Sequence, residues 1–392
     1  MRPAERAVRA VNGLTARWAA TADGGDTVFS AAGVWPLLAL LGAAADERAA
    51  PGLEDAVGMP RGEAAFAARE LTAALADVRG LRSATGLWAA EGLALRPEWV
   101  AELPPDTLGR LTGDPVADTA ALDAWASART GGLIGAMPPV CAEGTELVLA
   151  AAQAVRTRWL QGFREVRLSP ASGPWAGRSL AGLARTTSLL AGLGVAATDA
   201  GPVSVLRVLG DTGIDVHLLL GGEDMAPGAV LEGGIGVLSG RRTAVPADRL
   251  PVGAAGPGVS VGTVPATRRD PQLHARVSPF MLRSDHDLLE QEALAGLADA
   301  LGGGGHFPGI GSRATAPAAA AQSVMAVFDA DGFETASVSA VGTRAGGAPR
   351  AARHVVRRVE AVFDRPFGFL TVHRTSSLVL SAGWVSSPVP GA

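Results

Sequence analysis

The eighteen residues Val28–Ala45 contain no charged side chain, and this run limits the possible folds more than any other part of the chain. Such a segment must be shielded from water, by lipid or by protein. Its length is marginal for a membrane span and Ser30, Gly33 and Pro36 interrupt it, so a helix enclosed by protein is expected, with no membrane partner. Leu37, Leu38, Leu40 and Leu41 follow helical spacing. Enclosing that helix takes a large core. Hydrophobic residues make up 48% of the 392 residues and charged residues 18%, so a core can form without disulfide or metal. The length would suit two or three domains, but sheet-rich single domains run this long and one domain stays open.

The first part of the chain, roughly 80 residues, reads as mainly helical. Polar Ala43–Glu47 is followed by a second apolar stripe at Leu53, Val57 and Met59. Ser83–Leu95 alternates like a strand around Gly86 and Trp88, and Pro97–Leu103 reads as a short helix begun by proline. Asp118–Arg129 is helical with Leu122 and Trp125 on one face, and it stops at Thr130–Gly132, where glycine can take a positive φ. Leu147–Val155 fits a strand buried on both faces, although its alanines would equally suit a helix. From Val203 the pattern changes to short β-like runs, Val203–Leu209, Ile214–Leu220, Val259–Val264 and Leu273–Leu282, between Gly- and Pro-rich turns. Leu288–Leu301 is the last helix expected, closed by Gly302–Gly305. Ser323–Phe328, Phe367–Val372 and Leu378–Trp384 read as the final strands.

The formal net charge of −4, with arginines scattered except near residues 344–358, leaves no basic face for nucleic acid, so the expected partner is a protein. Cys141 is the only cysteine, which rules out an internal disulfide. His217, His274, His286, His306, His354 and His373 show no i, i+4 pairing or cysteine cluster, so no metal and no cofactor are expected. No nucleophile elbow, phosphate-binding loop or nucleophile–base constellation is present, so an enzyme is not expected. Met1–Thr27 carries Arg2, Glu5, Arg6, Arg9 and Arg17 and lacks an apolar stretch ending at a small-residue cleavage site. A cytoplasmic location is the default, with export left open.

The stretch Phe328–Arg365 runs for more than thirty residues before Pro366, and loops of that length are functional or are linkers. Its first part, Phe333, Glu334, Thr335, Ala336, Ser337, Val338, Ser339, Ala340 and Val341, is mostly small and β-branched and can pair into a sheet. Thr335, Ser337, Ser339 and Val341 would line one face of a strand, and Ala336, Val338 and Ala340 the other. Gly342–Arg358 holds Gly346, Gly347, Pro349 and five arginines, a composition open to proteolysis. A solvated linker carrying stray arginines is the alternative.

Motifs spread along the chain resemble those of the serpins. Val28-Phe29-Ser30 before the apolar helix is similar to the family's VFSP segment, and Thr130-Gly131-Gly132-Leu133-Ile134 to its T-N-G-x-I stretch. Leu147–Phe163 aligns without a gap to LVLVNAIYFKGxWxxxF, keeping Trp159 and Phe163. His306-Phe307-Pro308-Gly309-Ile310 resembles F-S-G-I, Asp329–Gly332 the D-E-x-G hinge, Arg365–Leu370 the D/R-x-P-F-x-F-x-I strand and Leu380–Pro388 the closing L-F-x-G-x-V-x-x-P. The order and spacing together are specific where no single motif is.

The resemblance implies an α+β fold, helices packed on three β-sheets, in a single domain over 1–392 with an exposed reactive-centre loop at about 333–358. It implies a monomeric suicide-substrate inhibitor of a serine protease: the loop is cleaved and its first half, from hinge Gly332 and Phe333 through Ala340, inserts as a strand into the main sheet. The alternative is a non-inhibitory serpin acting as a binding or interaction protein. Two departures from the family bear on that choice. Phe333 stands where inhibitory members carry Thr, and a bulky ring would slow insertion. At the shutter, where the sheet opens, Ser30 is kept, but the positions matching the second Ser, the Asn and the His are Gly33, Ala151 and Gln322, so the polar network there reads as thinned. Trp159 marks the breach above it. Counting from Gly332 puts the scissile bond near Arg344, Gly346 and Gly347; counting back from Pro366 puts it near Arg353, Val355 and Arg357. Arginine in either window suits a trypsin-like or subtilisin-like target. The Lys-free, Ala-, Gly- and Arg-rich composition suggests a high-GC, bacterial source.

Overall fold

A computed structural model describes residues 5–294, 296–298, 307–311, 317–333 and 352–391. The chain begins with α1 (Glu5–Ala20), β1 (Thr27–Phe29), α2 (Ala31–Ala43), α3 (Ala50–Val57) and α4 (Arg61–Ala76). β2 (Leu81–Ala90), α5 (Pro97–Glu102), β3 (Leu108–Leu111) and α6 (Pro115–Thr130) lead to β4 (Leu147–Val155) and β5 (Thr157–Arg158). Next come β6 (Arg164–Leu168), β7 (Leu180–Thr187), β8 (Leu193–Thr198), β9 (Gly201–Val208), β10 (Ile214–Leu220), α7 (Pro227–Leu238), β11 (Ala244–Pro246), β12 (Gly253–Gly256), β13 (Val259–Ala266), β14 (Gln272–Val277) and β15 (Phe280–Asp287). The last elements are β16 (Ala319–Phe328), β17 (Gly332–Phe333), β18 (His354–Phe363), β19 (Phe367–His373) and β20 (Leu378–Val385).

The uncharged run folds as expected, with one addition. Thr27–Phe29 pairs with β20 as an edge strand, and Ser30, in extended conformation, caps α2 by accepting Gly33 N–H on its Oγ at 3.0 Å. Every residue from Ala31 to Gly42 is buried, because α2 packs against α4, β2, β4 and β20. No described helix is long and apolar enough to cross a membrane.

Among the described residues three large sheets carry the fold, ordered β15-β16-β4-β2-β3, β12-β13-β18-β14-β7-β6 and β1-β20-β19-β10-β9-β8-β11, and β17 pairs with β5 alone. The ambiguous alanine-rich run is strand β4, buried at all nine positions. Leu147, Leu149 and Ala151 face the main core beside α2, whereas Val148, Ala150 and Ala152 face a second cluster with Leu122 and Ala126 of α6. Burial on both faces is what removes the polar alternation.

The run Leu273–Leu282 is not one strand: β14 and β15 belong to different sheets and Ser278–Pro279 divides them. Of the helix expected over Leu288–Leu301, the described residues show a 3₁₀ turn at Glu292–Leu294 and α-helical residues at 296–298. The loop is shorter than expected at its far end, since His354–Phe363 forms β18 in the interior of the six-stranded sheet. Val359, Ala361 and Phe363 alternate toward the core there, a period-2 signal obscured by neighbouring arginines. Helix α7 carries glycines that propensity disfavours. Gly228 is required by packing, because a Cβ would stand 2.9 Å from the carbonyl oxygens of Ala19 and Ala20 in α1.

Candidate functional site: seam and hinge of the five-stranded sheet

β4 and β16 are parallel neighbours in the middle of the five-stranded sheet, aligned from Ala319 opposite Val148 to Met325 opposite Ala154. Fully buried polar side chains lie beneath this seam. Gln322 of β16 takes Ser30 N–H on Oε1 at 2.9 Å and donates Nε2–H to Ser30 O at 2.7 Å. Ser30 Oγ donates to Leu380 O at 2.7 Å, and Gln153 of β4 donates Nε2–H to the same carbonyl at 2.6 Å. Side-chain amides therefore tie β16 to the Ser30 segment and β4 to Leu380 of β20.

The polar network around Ser30 is thus not thinned, which corrects the expectation from Gly33, Ala151 and Gln322. Gln153 lies two residues beyond Ala151, on the same face of β4, and supplies an amide that the motif comparison missed. Gly33 borders both amides: a Cβ there would lie 3.4 Å from Gln322 Nε2 and 3.6 Å from Gln153 Oε1, ordinary contact distances. The signal in the sequence was a glutamine inside an otherwise apolar strand, since a buried amide needs partners.

β15 extends the same arrangement. Val28 N–H donates to Ser284 Oγ at 2.9 Å, and the His286 ring donates from Nε2 to Val28 O, with 2.8 Å between them. Burial lowers the His286 pKa from its ordinary value, and the bond to Val28 opposes that shift. Its ring meets Trp18 edge-on at 5.2 Å.

At the end of β16 the chain reverses. Asp329 Oδ1 accepts the N–H groups of Asp331 and Gly332 at 2.8 and 2.9 Å, while Asp329 N–H donates to Gly332 O at 3.0 Å. Trp159 clamps the turn with two bonds, its indole Nε1–H to Asp329 O at 3.0 Å and its backbone N–H to Asp331 O at 2.9 Å. Phe163 N–H adds a third to Ala330 O at 2.8 Å. Trp159 and the segment Asp329–Gly332, far apart in sequence, meet here.

After the turn, Gly332 and Phe333 run antiparallel to β5, opposite Arg158 and Thr157. A Cβ on Gly332 would stand 2.5 Å from Thr157 O, so only glycine lets the chains approach this closely. Phe333 is completely buried, which corrects its placement as the first residue of an exposed loop. Its ring lies 6.1 Å from Phe369 and 6.4 Å from Phe280, in an aromatic cluster continued by Phe328 and Trp159.

Glu334, Thr335, Ala336, Ser337, Val338, Ser339 and Ala340, with Arg344, Gly346 and Gly347, lie outside the described residues. The other scissile candidates are corrected. Arg353 N–H bonds Ala266 O at 3.1 Å, and Val355 and Arg357 sit in β18 opposite Pro265 and Thr263 of β13. Arg357 Nη2 also donates to Ala247 O at 3.1 Å and to Leu250 O. Presenting these residues to a protease would break those pairs. Among the described residues no group of three or more His, Cys, Asp and Glu side chains could hold a metal. Burial, foremost, raises the Cys141 pKa, the opposite of what a nucleophilic thiol requires.

No protein-family model and no curated protein sequence matches the chain. Solved structures match it over nearly its full length. Native protease nexin-1 with heparin superposes with a TM-score of 0.69 at 14% identity, covering 97% of this chain and 100% of that one. Human thyroxine-binding globulin gives 0.72 at 14% identity, covering 98% of each chain. Tengpin, a thermophilic serpin in its native state, gives 0.71 at 12% identity, covering 98% of this chain and 95% of that one. With these neighbours, three sheets in this order, and a seam and hinge built as above, the chain has the serpin fold.

Proposed function

We propose that the chain, acting as one unit over residues 1–392, is a suicide-substrate inhibitor of a trypsin-like or subtilisin-like serine protease and needs no cofactor. The observation that carries this is the direction of β17. It runs antiparallel to β5, the continuation of β4, just beyond the point where the parallel pairing of β4 and β16 ends. A strand continuing from Phe333 between them would replace one parallel ladder by two antiparallel ladders, which are slightly more stable per residue. β4 has nine residues and β16 has ten. Cleavage after Arg344 would release a segment of matching length, about eleven residues over 334–344, whose small side chains suit a sheet.

In this reading the protease serine attacks the carbonyl of the scissile residue, the C-terminal amine leaves, and an acyl-enzyme remains on the loop. Insertion then carries the protease away before water releases it. The protein is consumed once, without turnover.

A second reading, a non-inhibitory binding protein, is favoured by the ties of Gln322 and Gln153, which hold both seam strands to neighbouring backbone. Incubation with trypsin and with subtilisin, followed by denaturing electrophoresis, separates the two. A complex surviving SDS supports inhibition. Clean cleavage with the protease still active supports the second reading and overturns the first.

A further inference from the structure

Arg185, on β7 between β6 and β14, is only 9% exposed, yet no carboxylate among the described residues pairs with it. Its Nη1 donates to Gln161 O at 3.2 Å and its Nη2 to Arg207 O at 3.3 Å, while Nε has no partner. The guanidinium lies over the Phe163 ring, 4.6 Å from its centroid. A buried cation is ordinarily paired or neutralised. Burial lowers the Arg185 pKa to about 10, which leaves the charge intact at neutral pH. Carbonyl dipoles and one aromatic face offset its desolvation in part, and each terminal nitrogen keeps a second N–H beside the free Nε–H.

Arg185 lines a recess of 450 Å³ between the end of β7, the turn Leu190–Gly192 and β9, with Nε buried behind it. Leu160, Leu189, Leu209 and Leu273 form apolar wall, and Arg207 is the second cation; no Asp or Glu contributes. Leu160 and Leu189 are each 61% exposed, an uncommon state for two neighbouring leucines unless something apolar covers them. Apolar walls with a few convergent polar groups are the makeup of a small-ligand site, and a guanidinium with adjacent free donors fits an oxyanion.

We propose that this recess binds a small organic anion, a single carboxylate or sulfonate on a compact apolar body, with Arg185 holding the oxyanion and the leucines covering the body. The site does not depend on protease inhibition, and either can fail without the other.

The test uses the full chain and two fluorescent probes, 8-anilinonaphthalene-1-sulfonate and N-phenyl-1-naphthylamine, which share a body but not the anion. Saturable one-to-one binding of the sulfonate is expected, at least tenfold tighter than that of the neutral probe. Arg185→Gln should weaken sulfonate binding at least tenfold. Leu189→Glu, at an exposed position that spares the core, should weaken it similarly by placing a like charge at the rim. Near-UV circular dichroism checks that each variant stays folded, and should Arg185→Gln not fold, Leu189→Glu decides. Absence of saturable sulfonate binding, equal affinity for the neutral probe, or unchanged binding in Leu189→Glu overturns the proposal.

Discussion

The side chain of Gln322 completes both backbone hydrogen bonds of Ser30, accepting its N–H at 2.9 Å and donating to its C=O at 2.7 Å across 292 residues of sequence. Opposite Gln322 on β15 stands His286, which holds Val28. Alternate residues of one extended segment, Val28 and Ser30, are thus fixed by two adjacent strands. This makes the passage from β1 into α2 the fastening of β15 and β16.

Gln322→Ala removes that fastening and leaves two buried peptide groups without their side-chain partner. The cost should be on the order of 1–3 kcal/mol, the usual penalty for an orphaned buried group. It should appear as a lower urea midpoint than in the parent protein. An unchanged midpoint would mean that water or a neighbouring group replaces the amide without loss.

Trp159→Phe tests the hinge more selectively. It keeps an aromatic ring beside Phe328 and deletes only the indole donor to Asp329 O. The global loss should be about 1 kcal/mol, the worth of one hydrogen bond. Amide exchange at Asp331 and Gly332 should quicken while that of β4 stays as it was. Equal exchange at the turn would show that the backbone bonds from Trp159 and Phe163 suffice.

Much of the fold was legible because burial left an unambiguous pattern. The uncharged run could only be enclosed, and the stop at Thr130–Gly132 is a true C-cap, Gly131 holding φ 68°. Strand β18 was hidden because arginines occupy its partly buried positions, so period-2 burial was masked by charge. At the seam, the family motif specifies particular polar residues at fixed positions. The physical requirement is only that buried peptide groups find partners, and Gln153 meets it from two residues away. Phe333 departs from expectation for a related reason. A bulky ring is costly in a closed sheet, but here it lies above the last β4–β16 pair, in an aromatic cluster that already accommodates it.

Acid should loosen the seam. The His286 pKa is lowered in the folded protein, chiefly by burial, whereas in the unfolded chain it titrates near 6.5. A depressed folded pKa means that the unfolded state takes up the proton first. The contribution of His286 is therefore full above about pH 6.5 and is lost as pH falls toward its folded pKa. The urea midpoint should fall between pH 7 and pH 5, and His286→Asn should reduce that slope while lowering the midpoint at pH 7. A slope untouched by the substitution would assign the acid sensitivity to other groups.

Phe333 is where the two functional readings part. Phe333→Thr removes a fully buried ring, so the intact variant should melt well below the parent, by an amount comparable to the ~3–5 kcal/mol typical of Phe truncation. If the loop inserts, a threonine passes into the sheet more readily than a phenylalanine, and fewer molecules of the variant should be spent for each trypsin inhibited. Trypsin cleavage should then raise the melting temperature of both proteins, because an inserted strand replaces one parallel ladder by two antiparallel ones. Under the binding-protein reading the hinge ring is an anchor. Cleavage would then leave both melting temperatures unchanged, and neither protein would hold trypsin in an SDS-stable complex.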